Sequence, residues 1–203
     1  MKMHRAMGVA TVDVLGNPDL QPEETISYDF SIEADKGKNF GKLTYFNNSV
    51  TNLITTEEIS GDDSTSVNRY INIGKAQING IELELGHRFN DRWTIKFTHN
   101  YLDAMDEIAN ERLNNRAKNT STIQLIYDDH KDNGISAVLW DQFSSDYRYN
   151  DENYTYNTLN FSLNKKWNKE FSTYAGIDNI FNKKVDDLYI DGRLWRVGAE
   201  WRF

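Results

Sequence analysis

The chain closes on GRLWRVGAEWRF, residues 192–203. Trp195, Val197, Ala199, Trp201 and Phe203 fall on one side of an extended strand; Arg196, Gly198, Glu200 and Arg202 fall on the other. A period-2 split this clean means that one face meets something apolar and the other meets water or polar side chains. A sandwich core would not accept those charges unpaired. An apolar face crowded with Trp and Phe at its end is the pattern of the aromatic girdle of a transmembrane β-barrel.

Composition carries a tension that such a wall resolves. Hydrophobic residues make up 38% of the 203 and the mean hydropathy is -0.72, low for a globular core of this size. Aromatics nevertheless reach 13%, whereas disordered chains are poor in them. In a membrane barrel only alternate residues need be apolar, and lumen and outer loops are polar. The net charge of -8 and the lack of a Lys/Arg run argue against nucleic acid. With 0 Cys there is neither a disulfide framework nor a thiolate metal site. No stretch approaches 18 apolar residues, so a transmembrane helix is not expected. Residues 1–16 form a poorly defined segment. Lys2 and Arg5 resemble a charged signal-peptide start, but Asp13 breaks the short apolar run. The expectation is that this chain is the rear part of a longer exported protein.

Hairpins follow one another from Glu23 onward. Ile26, Tyr28, Phe30, Ile32 and Ala34 alternate with polar residues, then 35–39 turn, and a second strand runs from Phe40 to about Ile54. A third spans roughly 69–89. The fourth sets Trp93, Ile95, Phe97, His99 and Tyr101 against Thr94, Lys96, Thr98 and Asn100. Later strands centre on 123–127, 135–143, 159–167 and 171–181. Residues 55–68, 103–117, 144–154 and 182–191 read as long polar loops, and the connections between them are short. Alternating short and long connections match the outer-membrane rule of tight periplasmic turns and long extracellular loops, which places Phe203 at the periplasmic side. About nine strands are counted, an odd number where single-chain bacterial barrels have an even one.

Several segments together resemble one family. Asn17-Pro18-Asp19-Leu20-Gln21-Pro22-Glu23, then Tyr45-Phe46-Asn47-Asn48 with Asn52-Leu53-Ile54, then Tyr70-Ile71-Asn72 through Ala76 to Gly80-Ile81-Glu82, then Gly176 with Asn179-Ile180-Phe181-Asn182-Lys183, and finally Gly192-Arg193 before the Phe-ended strand occur in the order seen in TonB-dependent outer-membrane receptors. The resemblance covers residues 17–203 and is strongest to the ferric-siderophore and colicin receptor group. It departs at Arg116, which Ala117-Lys118-Asn119 follow where the family often has R-P-x-H. It implies an all-β, antiparallel, up-and-down transmembrane barrel wall, about nine strands of a 22-stranded barrel without its plug domain. It also implies an outer-membrane location, energy-coupled uptake of a nutrient complex such as a ferric siderophore, and no enzymatic activity or cofactor. The implied partners are outer-membrane lipid, a TonB-type protein acting through the missing plug, and the barrel-assembly machinery, for which the aromatic end Trp201 and Phe203 would be the signal. A complete small barrel with a structural or adhesive role, closed between its first and last strands, is one alternative. A soluble β-sandwich binding glycans, with the face of Trp93, Ile95 and Phe97 packed on a second sheet, is another.

The chemistry-bearing residues are few. His4, His87, His99 and His130 show no metal-ligand spacing, with His87 and His99 on the apolar face of their strands. His130-Lys131-Asp132 lacks a phosphodiesterase spacing, and Gly74-Lys75 lacks the other P-loop residues. Asp62-Asp63, Asp128-Asp129 and Asp186-Asp187 are either solvated turn charges or oxygen donors for a divalent cation. The segment Asp146-Tyr147-Arg148-Tyr149 with Tyr154 and Tyr156 is the main candidate for ligand contact. Phenol rings beside a guanidinium stack on and pair with an anionic aromatic ligand, as an iron catecholate is. Arg112 and Arg116, in the preceding polar stretch, are expected to contribute.

Overall fold

The computed structural model describes residues 11–61, 65–150 and 152–203. Its elements are β1 (Thr11–Leu15), β2 (Glu24–Lys36), β3 (Asn39–Gly61), β4 (Thr65–Arg88), β5 (Trp93–Asp106), β6 (Glu111–Arg112), β7 (Arg116–Asp128), β8 (Ile135–Tyr149), β9 (Glu152–Lys166), β10 (Phe171–Asp178), a 3-10 turn at Asp186–Leu188 and β11 (Leu194–Trp201). Hydrogen-bonded neighbours follow the order β11-β10-β9-β8-β7-β5-β4-β3-β2, an antiparallel meander of the nine strands expected. The short β1 pairs in parallel with the start of β4, Thr11 opposite Thr65 to Leu15 opposite Arg69, and β6 pairs with β5. The chain divides into two units, one of Met1–Ser27, Asn48–Ile78 and Met105–Glu111, the other of Tyr28–Asn47, Asn79–Ala104 and Arg112–Phe203.

Within the second unit the register lines side chains into rows. Trp93, Tyr127, Ala137, Leu163, Ala175 and Val197 stand opposite one another across six strands. The next row is Ile95, Leu125, Leu139, Phe161, Ile177 and Trp195. Above it lie Phe97, Ile123, Asp141 and Leu159, then His99, Ser121, Phe143 and Asn157. Trp201 stands opposite Phe171, ring centroids 5.5 Å apart, two rows below the first of these. From Trp201 to the row of Phe143 is thus about ten residues, or roughly 33 Å along a strand. At a tilt near 40° this matches the roughly 25 Å apolar band of an outer-membrane barrel. Asp141 interrupts the band; its Oδ1 accepts a hydrogen bond from Asn157 Nδ2 at 3.0 Å.

Among the described residues no second sheet covers these rows. Among the described residues no large side chain is fully buried, and Trp195 and Val197 are 66% and 81% exposed. The sandwich alternative required a packed partner for this face and is not supported. The small closed barrel required its first and last strands to pair. Here β2 and β11 are the two ends of the order.

The opposite face carries charge in pairs: Lys96 Nζ lies 2.7 Å from Glu84 Oε2, and Arg196 Nε lies 2.7 Å from Asp178 Oδ2. On this same face aromatic rings lie over glycines of the neighbouring strand. A Cβ on Gly86 would sit 1.9 Å from Phe40 Cζ, and one on Gly198 would sit 2.4 Å from the Tyr174 ring. The ring covers backbone that a glycine leaves bare.

The short connections are tight because asparagine and aspartate side chains cap them. Asn90 Oδ1 accepts the amides of Arg92 and Trp93, and Asn168 Oδ1 accepts those of Glu170 and Phe171. Asp128 and Asp129 cap the amides of His130 and Lys131 in the same way. The long connections differ from expectation. Strands β3 and β4, of 23 and 24 residues, run through most of the segment 55–68. Residues 103–117 hold the end of β5, all of β6 and the start of β7; residues 144–154 hold the ends of β8 and β9. These segments are strand extensions beyond the apolar rows. With no apolar medium on one side their alternation fades, while the backbone ladder continues. The terminal strand closes at Trp201, so Phe203 lies two residues past it.

Candidate functional site

Four of the six candidate side chains sit on one hairpin of the second unit, on strands rather than on a loop. Strands β8 and β9 pair Tyr147 with Tyr154, Arg148 with Asn153 and Tyr149 with Glu152. The register shifts below them: Ser144 faces Tyr156, but Tyr147 faces Tyr154, three residues on one strand against two on the other. Asp146, at φ 52, sits in this irregularity. A bulge of this kind re-aims a side chain. It moves Tyr147 onto the face of Tyr154 and Tyr156, the polar face of the sheet, where the Tyr147 and Tyr156 rings meet edge to face at 6.4 Å.

Arg116 opens β7 directly opposite Arg148. Arg116 Nη1 donates to the Asn114 carbonyl at 3.1 Å. Arg112, on β6, reaches the same hairpin: Nη2 donates to the Asp146 carbonyl at 2.9 Å and Nη1 to Asn153 Oδ1 at 3.4 Å. All six candidates therefore belong to one end of β7–β9, with Arg112 bracing the bulge.

Two partners had no signal in the sequence. The Tyr154 hydroxyl lies 2.9 Å from Glu152 Oε2 and 3.0 Å from Asp187 Oδ2. The hydrogen bond to Glu152, then desolvation and the bond to Asp187, raise the Tyr154 pKa well above the ordinary phenol value. Partial burial, then the neighbouring Tyr156 and Tyr149, raise that of Tyr147. Both phenols are neutral at physiological pH and can donate hydrogen bonds. Asp187 comes from 33 residues away, so only folding brings it there.

The motif residues have structural work. In the first unit, Asn72 answers the backbone of Gln21 as a strand would. Its Oδ1 accepts the Gln21 amide at 2.8 Å and its Nδ2 donates to the Gln21 carbonyl at 3.0 Å and to the Asn52 carbonyl at 2.6 Å. Asn17 Nδ2 donates to the Tyr70 carbonyl at 2.9 Å, and Glu23 Oε1 accepts the Ile54 amide at 2.6 Å. In the second unit, buried Asn179 bridges Lys183 through both its backbone groups, at 2.7 and 2.8 Å, and donates its own amide to Asn160 Oδ1 at 2.8 Å. Arg193 Nε donates to the Ile180 carbonyl at 2.9 Å, and its amide donates to Asn182 Oδ1 at 3.0 Å. Gly192, at φ 111, passes so close to Asn182 that a Cβ would sit 2.5 Å from Oδ1. These knots tie down the segments that enter and leave the strands.

A family model described as "TonB dependent receptor-like, beta-barrel" matches residues 6–180. The chain belongs to the TonB-dependent receptor β-barrel family. The family's recurrent asparagine, glycine and arginine boxes are thus the knots just described. A curated relative, the probable TonB-dependent siderophore receptor PirA of Acinetobacter baumannii, is 25% identical over 207 residues, 84% of this chain and 27% of the relative. Among solved structures, the copper transporter OprC superposes with a TM-score of 0.73 at 16% identity, over 92% of this chain and 33% of that one. The siderophore receptor PirA from Acinetobacter baumannii gives 0.65 at 19%, covering 94% and 33%. The ferric enterobactin receptor PfeA from Pseudomonas aeruginosa, as a mutant, gives 0.64 at 19%, covering 94% and 32%. The chain thus spans about a third of the length of the relatives it matches.

The remaining sequence candidates separate. His87 Nδ1 meets Asn39 Oδ1 at 2.7 Å, and His99 Nδ1 meets Ser121 Oγ at 2.8 Å. Both stand at apolar-face positions. Among the described residues no three His, Cys, Asp or Glu converge as a metal site would require. Asp62-Asp63 and His4 lie outside the described residues.

Proposed function

We propose that the chain is the C-terminal wall of an outer-membrane receptor that takes up a ferric siderophore, with energy relayed by a TonB-type protein through a plug carried elsewhere in the receptor. The single observation that carries the cargo class is the pair of Tyr147 and Tyr156 rings on the polar face of β8 and β9, with Arg116 near enough to act on the Tyr147 phenol. An anionic aromatic complex stacks on the phenol rings and pairs with the Arg116 guanidinium. Family membership supports the uptake role, and the apolar rows support a bilayer location. Trp201 and Phe203 would serve as the signal for barrel assembly, since they end the apolar face of the terminal strand.

The test is binding of ferric catecholate to the complete receptor and to its R116A and Y147A forms, by intrinsic fluorescence quenching. Each substitution is expected to weaken binding roughly tenfold or more, the value of a charge-assisted hydrogen bond. Unchanged affinity in both would overturn the assignment of this hairpin to the cargo.

A further inference from the structure

The lipid-side surface of β2–β4 is not uniform. Gly41 stands in β3 where its neighbours on the same face carry large apolar side chains: Leu43 on its own strand, Ile32 and Ala34 on β2, Leu83 and Leu85 on β4. A groove of about 460 Å³ runs among them. A Cβ on Gly41 would already touch Leu85 Cδ2 at 3.1 Å and the Glu84 carbonyl at 3.0 Å, so the groove floor is closed backbone. At the turn end the lining changes to Lys36 and Asn39.

Charge at that end is one-sided. Asp35, next in sequence, lies on the other face and is taken by Arg88, with Nη2 2.9 Å from Oδ2. Among the described residues Lys36 makes no ion pair. Lys36 is the last residue of its strand, beside a two-residue turn. In a barrel, tight turns mark the headgroup level of the periplasmic leaflet. The groove therefore has an apolar body running toward the membrane interior and one uncompensated ammonium at its mouth.

We propose that this groove holds one acyl chain of an anionic phospholipid of the periplasmic leaflet, with Lys36 on its phosphate. The inference rests on the membrane-wall reading of this face. A bilayer offers every apolar groove an acyl chain, and the ammonium selects which headgroup stays. A chain lodged in the groove touches more apolar surface than one on the flat rows, so this lipid exchanges more slowly.

The complete receptor is reconstituted in nanodiscs of equal phosphatidylglycerol and phosphatidylcholine, then stripped with mild detergent. Native mass spectrometry counts the lipids that stay. The expected result is one retained lipid, phosphatidylglycerol over phosphatidylcholine by about fivefold, the effect of a single basic side chain at a charged surface. K36Q should equalise the two lipids and leave retention itself in place. A34L, which fills the groove from the lipid side, should remove retention of both. Undiminished preference in K36Q, or unchanged retention in A34L, overturns the proposal. Heat-dependent gel mobility, followed in parallel, reports whether the wall has inserted; a receptor that never inserts refutes the membrane reading itself.

Discussion

Asn72 shows how much one polar side chain can hold. Its amide replaces a strand neighbour for Gln21 and caps Asn52, which sits at φ 55. N72A should loosen this segment by about 1–2 kcal/mol, because three backbone groups lose their partner at once. Hydrogen exchange at the Gln21 amide is the measurement, and roughly tenfold faster exchange is expected. Gly86 makes the opposite point, that a missing side chain is itself a contact. G86A drives a Cβ into the Phe40 ring and should cost about 1–3 kcal/mol in urea unfolding, with F40A largely relieving it. At the turn beside it, the hydrogen bond from Arg88 holds the Asp35 carboxyl below its ordinary value of 3.8. A carboxyl lowered in the folded state contributes stability that is complete above its unfolded value and lost as pH falls through the folded one. The contribution should therefore be present at pH 6, begin to fall as pH approaches 3.8 and vanish only below the lowered folded value, and D35N should flatten that part of the acid dependence. In the sequence these residues stood as ordinary strand, turn or motif positions; their partners lie 20 to 53 residues away.

Strands carry two patterns that part company along their length. In the lower part of β5 to β11, lipid on one side and polar surroundings on the other impose strict alternation, so these strands are legible from sequence. Above the row of Phe143 both faces of β8 and β9 meet polar surroundings, and the hairpin of Tyr147 and Tyr154 looked like a loop. Nothing in its residues announced the shift in register that turns Tyr147 onto the face of Tyr156. Asp141 is the reverse case, a charge within an apolar row that alternation alone would exclude. Facing lipid with Asn157 as its partner, it should be a weak point of the wall. D141L is expected to raise barrel stability in bilayers by about 1 kcal/mol, read from denaturant unfolding in vesicles. A fall in stability would mean that something other than lipid covers this row.

At the scale of the whole molecule, an alternating chain with so little apolar residue is ill suited to a closed core, and no large side chain among the described residues is fully buried. The order of the boxes and the odd count of nine strands pointed to part of a larger barrel, and the family match agrees with the first of these. Assembly belongs to this scale too. Removing Phe203 from the complete receptor should lower the amount of heat-modifiable barrel in the outer membrane severalfold, and normal levels would detach the terminal aromatic from assembly. What the order of residues determined by itself was the two-faced strand, because alternation is a local consequence of the pleat. The order of its asparagine, glycine and proline boxes carried the resemblance to the family. Only the tertiary structure decided which distant side chains share a face: Arg116 against Arg148, Asp187 on Tyr154, Asn72 on Gln21. Register is set by the summed fit of whole strands and by where the ladder slips, and no short stretch of sequence contains that sum.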